Sequence, residues 1–440
     1  MIGNDAESPV CTGSGRIVIT SFTTIEYRMY AKPSAGAFKR LAQMASDPYD
    51  GGKRLRLFAT DMQGTKWIGG WTSPRLGEAK TGIWDLGGEL QSLMTGVSGP
   101  WVSKESGVEL VFLPEIDLPM DRPMVTTTTL DGVEIESSLR FGKHTVSVLG
   151  SEIDFFYTTN GDSLWVTART SEALAHPFAE NWVGEPLRIL LGQLIYPRLV
   201  ARNFGDGKAQ VWLRPSPKRY RNSAVASLVG GDPFESKPSF WTLYGKLLQF
   251  LVETHNKEVF EAHLITRLYE EIIQATQGSR WVLCFTLASV AEGLATLLMG
   301  PVPLRSDYSE SDLKGLRDHV DAWVGDEELK SRILGAIRTA GTRTVGKFLR
   351  DLQRSAVLSS ANIAAWSNLR NSVMHGNLVS PYSTREDDQN ILDLADLVHR
   401  LTRAIIGVDD LRHQPTSGSG SIMPPQPAKS RGKAGDKRRG

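Results

Sequence analysis

Two hydrophobic periods divide the chain. Residues 16–30 are dense in Ile, Val, Thr, Phe and Tyr, and residues 54–60 alternate Leu55, Leu57 and Ala59 with polar neighbours. Residues 133–136 and 145–148 repeat that period of two, which sends successive side chains to opposite faces of a strand. The clearest hairpin spans residues 154–168 around Asn160-Gly161-Asp162, because Asn-Gly supplies the positive φ angles of a tight turn. Residues 186–195 predict a short helix with Pro186 in its first turn. Residues 196–203 and 208–213 predict a second hairpin about Gly205-Asp206-Gly207. Short strands joined by glycine-rich turns predict a sandwich or barrel.

The period changes after Arg214. Pro215, Pro217, Gly230-Gly231, Pro233 and Pro238 punctuate a stretch without periodicity, which reads as a connector. From Trp241 onward the apolar residues fall at helical spacing. Val345, Phe348, Leu349 and Leu352 lie at i, i+3, i+4 and i+7, and Ile391, Leu394, Val398, Leu401 and Ile405 repeat the pattern. Five or six helices with short connections predict a bundle. The expected organisation is a flexible N-terminus over 1–15, a β-rich domain over 16–214 and a connector over 215–238. A helical bundle over 239–412 and a disordered tail over 413–440 complete it. The fold class is therefore α+β and multidomain.

Composition changes little in this picture. At 440 residues, 40% hydrophobic and 22% charged, the chain is globular with two or three domains. Its net charge of +1 is uneven, because residues 414–440 hold six basic side chains against Asp436. Such a tail predicts sequence-independent affinity for a polyanion, or merely a solubilising end. Two cysteines, Cys11 and Cys284, exclude a disulfide framework and a cysteine–zinc cluster. No basic and apolar leader opens the sequence, so a cytoplasmic protein is expected. Residues 281–299 are long and apolar enough to span a bilayer, but Glu292 would be costly at its centre. That stretch reads as the central helix of a bundle, and no membrane is expected.

Candidate chemistry is sparse. Gly341-Thr-Arg-Thr-Val-Gly346-Lys347 has phosphate-loop spacing, but Phe348 stands where a magnesium-binding hydroxyl belongs, and a helical pattern precedes it. It reads as a chance match. His255, His263, His319 and His399 lie among charged neighbours and are expected to face solvent; His144 and His176 have no recognisable partner. Trp67, Trp71, Trp84 and Trp101 read as sheet core. The informative run is Trp366-Ser-Asn-Leu-Arg370-Asn371-Ser-Val-Met-His375-Gly376. Trp366, Leu369 and Val373 form its buried stripe, and Gly376 is a natural helix stop. His375 falls about 140° around the helix from Arg370, in a last turn where a cationic imidazole is favoured. Glu292 interrupts the most apolar helix of the chain, and a buried carboxylate needs a partner. Two readings of it stay open: it orients Arg370 or His375, or it makes a structural ion pair.

The run Arg370-Asn371-x-x-x-His375, in the penultimate helix of an all-helical region, resembles the HEPN superfamily, whose ribonucleases carry Arg, four to six residues, then His. With a β-rich N-terminal region ahead of it, the chain resembles the ApeA-like subgroup. Asn377 stands where the toxin subgroup has Tyr, so that subgroup's modification chemistry is not implied. The pair Arg169 and His176 also satisfies the spacing but lies in the strand-rich half, and is set aside. The resemblance implies a metal-independent, cofactor-free endoribonuclease in anti-phage defence or stress response. Its RNA would be single-stranded or looped, tRNA included, and not DNA. Its catalytic residues would be Arg370 and His375, with Asn371 positioning phosphate and Glu292 on an earlier helix. It further implies a homodimer with a composite site and control by the N-terminal domain. The alternative is a catalytically silent HEPN module that binds RNA or protein.

Overall fold

The computed structural model describes residues 1–408 apart from 20–23, 48–49, 51–52, 81, 98–104, 114–115, 123, 131–132, 140–141, 159–162, 217–223, 231–233, 235–236, 256–260, 301–307, 342–343 and 375–383. Residues 1–408 make one compact unit. The expected disordered tail, the Asn160-Gly161-Asp162 turn and Trp101 lie outside the described residues. The α+β architecture holds: a large antiparallel sheet comes from the N-terminal half and a set of helices from the C-terminal half.

The strands in chain order are β1 Ile2–Gly3, β2 Pro9–Val18, β3 Glu26–Pro33, β4 Leu55–Thr60, β5 Lys66–Thr72, β6 Arg75–Lys80, β7 Ile83–Glu89, β8 Leu93–Thr95, β9 Ser106–Phe112, β10 Met124–Leu130, β11 Val133–Leu139, β12 Lys143–Val148, β13 Ser151–Tyr157, β14 Leu164–Arg169, β15 Leu199–Gly205 and β16 Lys208–Leu213. Among the described residues fourteen of them form one hydrogen-bonded sheet, ordered β12-β13-β14-β9-β15-β16-β8-β5-β4-β1-β2-β3-β7-β6, while β10 and β11 pair separately. The predicted second hairpin turns at Gly205, Asp206 and Gly207, whose φ angles are 82°, 52° and 71°; only glycine and short polar residues enter that left-handed region readily. Residues 1–15, expected to be flexible, are instead partly strand. Ile2 is fully buried between β2 and β4, because an apolar residue beside an open sheet edge gains both burial and a ladder.

The helices are α1 Ala37–Ser46, α2 Ala179–Trp182, α3 Glu185–Leu191, α4 Lys237–Thr254, α5 Leu264–Ala275, α6 Arg280–Met299, α7 Glu310–Ala322, α8 Glu327–Ala340, α9 Val345–Arg354, α10 Ser360–Met374 and α11 Arg385–Ile405. Eight follow residue 236 among the described residues, against five or six expected. The excess is the exposed, charged hairpin α7–α8, whose weak apolar stripe buries only Val320 and Ile337. The phosphate-loop spacing runs from the end of α8 into α9, with helix on both sides.

The core does not divide at the proline-rich connector. One cluster, including Ile2, Val10, Tyr27, Leu55 and Leu86, belongs to β1–β8. The other runs from β9 through the helices without a break. The physical cause is the inner face of β13, β14, β9 and β15, where Phe155, Val166, Leu110 and Val200 alternate inward and must be covered. Helix α4 covers part of it. Trp241 stacks on His144 with ring centroids 3.9 Å apart, and Tyr244 meets Phe155 edge-on at 5.1 Å while its hydroxyl donates to the Val183 carbonyl at 2.9 Å. The connector itself is held down: Arg403 Nη2 donates to the Leu228 carbonyl at 2.8 Å and His399 Nε2 reaches the Val225 carbonyl at 3.1 Å. The described part of the connector around Val225 and Leu228 is therefore packed on α11, and removing the β-rich half would expose the apolar side of α4.

The histidines correct a second expectation. Of the four expected to face solvent, His255, His263 and His399 are buried and His319 is exposed. His144 has its ring partner, and His176 Nε2 lies 2.7 Å from the Asn203 carbonyl. Helical periodicity was outweighed by neighbouring charges in the sequence, yet an imidazole can enter a core when a carbonyl or hydroxyl satisfies it. Burial pushes His263 and His399 down to about 4, so both are neutral in the folded state at pH 7. The unfolded chain protonates them below about 6.5. Their contribution is complete above that value and is lost as pH falls toward 4, each costing about 2 kcal/mol by pH 5. Urea unfolding should show a marked loss of stability between pH 7.5 and pH 5. His399→Gln should lose less across that interval, and an equal loss would contradict a buried neutral imidazole.

Candidate functional site

The site is built on α6 and α10. Helix α6 starts at Ser279, whose hydroxyl accepts from the Val282 amide, and stops at Gly300. Leu287, Ala288, Val290, Ala291, Leu294 and Ala295 are buried, and α5, α9, α10 and α11 all pack against the helix. Among the described residues it is the one helix long and apolar enough to cross a membrane. Its carboxylate, Glu292, sits at the margin of the packed face.

Helix α10 is anchored at its start. The Asn362 carboxamide oxygen accepts from the Ser359 amide at 2.9 Å, and its nitrogen donates to the Asp393 carbonyl and the Asp396 carboxylate on α11, at 2.8 and 3.1 Å. Trp366 and Leu369 then point into the core as the spacing predicts. Gly346 of α9 faces the Trp366 ring, where an added Cβ would lie 3.5 Å from it. Arg370 follows immediately, off the buried stripe.

These two helices bring Glu292 and Arg370 together. Arg370 Nε donates to Glu292 Oε1 at 2.5 Å, and the guanidinium carbon lies 5.5 Å from the Trp366 ring centroid. The side chains are 40% and 37% exposed. The carboxylate and the ring thus fix an arginine that solvent still reaches. Engaging Nε leaves the terminal edge of the fork, Nη1 and Nη2, with the planar geometry that matches a phosphate. Asn371 continues α10, but its side chain lies outside the described residues, as does His375, which follows the last residue of the helix, Met374. The pair set aside earlier has other partners: Arg169 binds Glu105 at 2.8 Å and His176 meets Asn203.

Other features lie away from this pair. At the C-terminal end of α6 a cavity of about 360 Å³ is lined by Phe250, His263, Arg267, Leu297 and Leu298 among others. The His263 imidazole is spoken for there: Nδ1 accepts from the Ile265 amide at 3.1 Å and Nε2 meets the Thr254 hydroxyl at 3.0 Å. Among the described residues no group of three or more His, Cys, Asp or Glu could hold a metal ion. A buried arginine–glutamate cluster beneath α2 and α3 was not visible in the sequence, since Glu180, Arg188, Arg202, Arg214 and Glu270 share no local spacing. No family model, curated protein or solved structure matches the chain.

An ion pair this exposed contributes little to stability, about 1 kcal/mol or less. Glu292→Gln should therefore leave the urea midpoint nearly unchanged. A loss of several kcal/mol would make the pair part of the scaffold.

Proposed function

We propose that the helical region is a HEPN-type, metal-independent endoribonuclease and that Arg370 is its phosphate-binding group. The observation that carries this reading is the Glu292–Arg370 contact. It presents one guanidinium at a surface, pre-oriented, five residues before His375. Arginine remains charged at every relevant pH and offers paired donors to a phosphate or phosphorane. A carboxylate holding Nε from behind restricts its rotation, so less freedom is lost when a phosphate arrives.

RNA supplies its own nucleophile, the 2′-hydroxyl beside each phosphate. The protein must move protons and stabilise the charge that develops on phosphorus. Imidazole is the side chain suited to proton transfer near neutral pH, and His375 is the general acid or base. Asn371 positions the scissile phosphate, and Glu292 is a positioning residue acting through Arg370. Unpaired RNA is favoured because the hydroxyl must swing in line with the leaving oxygen, which stacked duplex resists. In this reading the β-rich half is an ApeA-like, sandwich-like sensor, and the basic tail adds charge-based affinity for RNA. The protein acts in the cytoplasm, in anti-phage defence or stress response.

One Arg–His pair provides a single titrating group, whereas cleavage uses an acid and a base. A homodimer would bring two pairs together. The exposed side of α6 supports this arrangement: Val282 and Phe285 are 38% and 45% exposed, with Ser289 and Glu292 continuing along the helix. Light scattering at micromolar concentration should give twice the chain mass. A monomer with full nuclease activity would contradict the composite site.

His375→Ala should reduce the rate of RNA cleavage roughly 10²–10⁴-fold, and Arg370→Ala by a similar factor through lost charge stabilisation. DNA should be untouched by the wild type. Melting curves of both variants should match the wild type, since neither residue belongs to the Trp366–Leu369 stripe. Wild-type protein that binds RNA without cutting it, with binding lost in Arg370→Ala, would replace the enzyme with a silent HEPN binding module.

A further inference from the structure

Helix α9 carries charge that the Arg370 site does not use. Between Arg338 and Met374 the chain holds six basic side chains, Arg338, Arg343, Lys347, Arg350, Arg354 and Arg370, against one acidic side chain, Asp351, while the whole chain sums to +1. Three of the six, Lys347, Arg350 and Arg354, belong to α9. At roughly 100° per residue they fall within about 60° of one another, opposite the buried Phe348 and Leu349. Arg350 and Arg354 are exposed, and Lys347 is half-buried. Asp351 lies beside the stripe and binds Arg354 at 2.7 Å. Whichever cations it serves, one carboxylate leaves a surplus of two positive charges on this helix. The spacing works against the fold, because Lys347–Arg350 and Arg350–Arg354 stand at i,i+3 and i,i+4, where like charges disfavour a helix.

The stripe adjoins the Glu292–Arg370 pair. Helix α9 packs against α6 and α10, the two helices that carry that pair. Gly346, in its first turn, faces the Trp366 ring at 3.5 Å from an added Cβ, and the Arg370 guanidinium lies 5.5 Å from the centroid of the same ring. Arg350 Nε donates to the Gly346 carbonyl at 3.1 Å, which draws the side chain back toward that edge of α9. Arg350 and Arg370 are thus linked through one indole. In both, Nε is engaged by an acceptor of the protein, and the Nη edge keeps the fork geometry that suits a phosphate. Helix α10 contains no acidic side chain, and Glu292 of α6 is committed to Arg370.

We propose that Arg350, with Lys347 and Arg354 along α9, binds the backbone phosphates of the RNA strand beside the phosphate held by Arg370; this rests on the nuclease reading only in taking Arg370 as phosphate-binding. The surface complements a strand because its cations form a line along the helix instead of converging on one point. It offers charge and no exposed ring, since Phe348, the one aromatic side chain of α9, is buried. Contacts of that kind fix the register of a strand and carry no sequence information. Each one releases counterions, so its signature is salt dependence.

The test is fluorescence anisotropy of the full chain with a labelled single-stranded RNA, 2′-O-methylated so that it is bound without being cut, across a series of salt concentrations. The slope of log affinity against log salt should fall by about 2 in the triple variant Lys347→Gln, Arg350→Gln, Arg354→Gln, at roughly 0.7 for each lost phosphate contact. Arg350→Gln alone should lower it by about 0.7, and serves if the triple variant does not fold. Arg350→Lys should restore the slope, which a purely structural role of the Gly346 contact would not do. Equal slopes in wild type and both Gln variants would overturn the proposal, as would failure of the wild type to bind the strand. A lowered slope in a protein that cuts no unmodified RNA would keep the α9 surface and remove the nuclease. Cleavage of unmodified RNA with the same KM and the same slope in wild type and triple variant would keep the nuclease and remove the surface.

Discussion

Everything in the helical half follows from one helix that has no polar side. Between Arg280 and Met299 the sequence offers Glu292 as its one interior charge, so burying the rest requires neighbours on several faces. Helices α5, α9, α10 and α11 supply them. Burial of Leu, Val and Ala side chains at roughly 25 cal/mol per Å² drives that wrapping, and close packing then fixes where each neighbour can lie. The lone carboxylate is carried to the rim of this arrangement, where α10 passes. Arg370 is the side chain that meets it.

That placement accounts for why a modest ion pair can matter. As a stabilising contact it is weak, because water reaches both partners. As an orienting contact it is effective, because it removes rotational freedom from an arginine while leaving the outer edge of the guanidinium available. The same logic separates the two clusters of charge in the protein. The pair on α6 and α10 is reached by solvent; the cluster under α2 and α3 is buried, with Glu180, Glu185 and Glu270 set against Arg188, Arg202 and Arg214. The first suits transient contact with a substrate, the second the internal tying of α2, α3 and β15.

Much of this was legible in the sequence. Period-two runs located β4, β12 and the β13–β14 hairpin, and the stripe of Trp366 and Leu369 oriented α10 well enough to leave Arg370 at its edge. Glu292 was conspicuous because a charge inside an apolar run demands a partner, and the structure supplies Arg370. What periodicity could not convey was long-range packing. Nothing local in the connector shows that Val225 and Leu228 are tied to His399 and Arg403 across more than 170 residues. Trp241 looks like the start of a separate bundle but stacks on His144 from the sheet. His399 is hidden from a local reading for the same reason, since its partner is the distant Val225 carbonyl, whereas His255 and His263 find theirs nearby, at the Glu261 carbonyl, the Ile265 amide and the Thr254 hydroxyl. The acid–base residue expected beside the pair, His375, lies outside the described residues, so its role rests on the motif and its chemistry.

The central claim is that Arg370 and His375 promote attack by the 2′-hydroxyl of RNA, and end-group analysis tests it most directly. Purified full-length protein is incubated in excess EDTA with a single-stranded RNA and with its 2′-O-methylated counterpart. The account predicts cleavage of the first only, leaving 2′,3′-cyclic phosphate or its hydrolysed form at one end and a 5′-hydroxyl at the other. Cleavage of the methylated strand, or products ending in a 3′-hydroxyl and a 5′-phosphate, would contradict it.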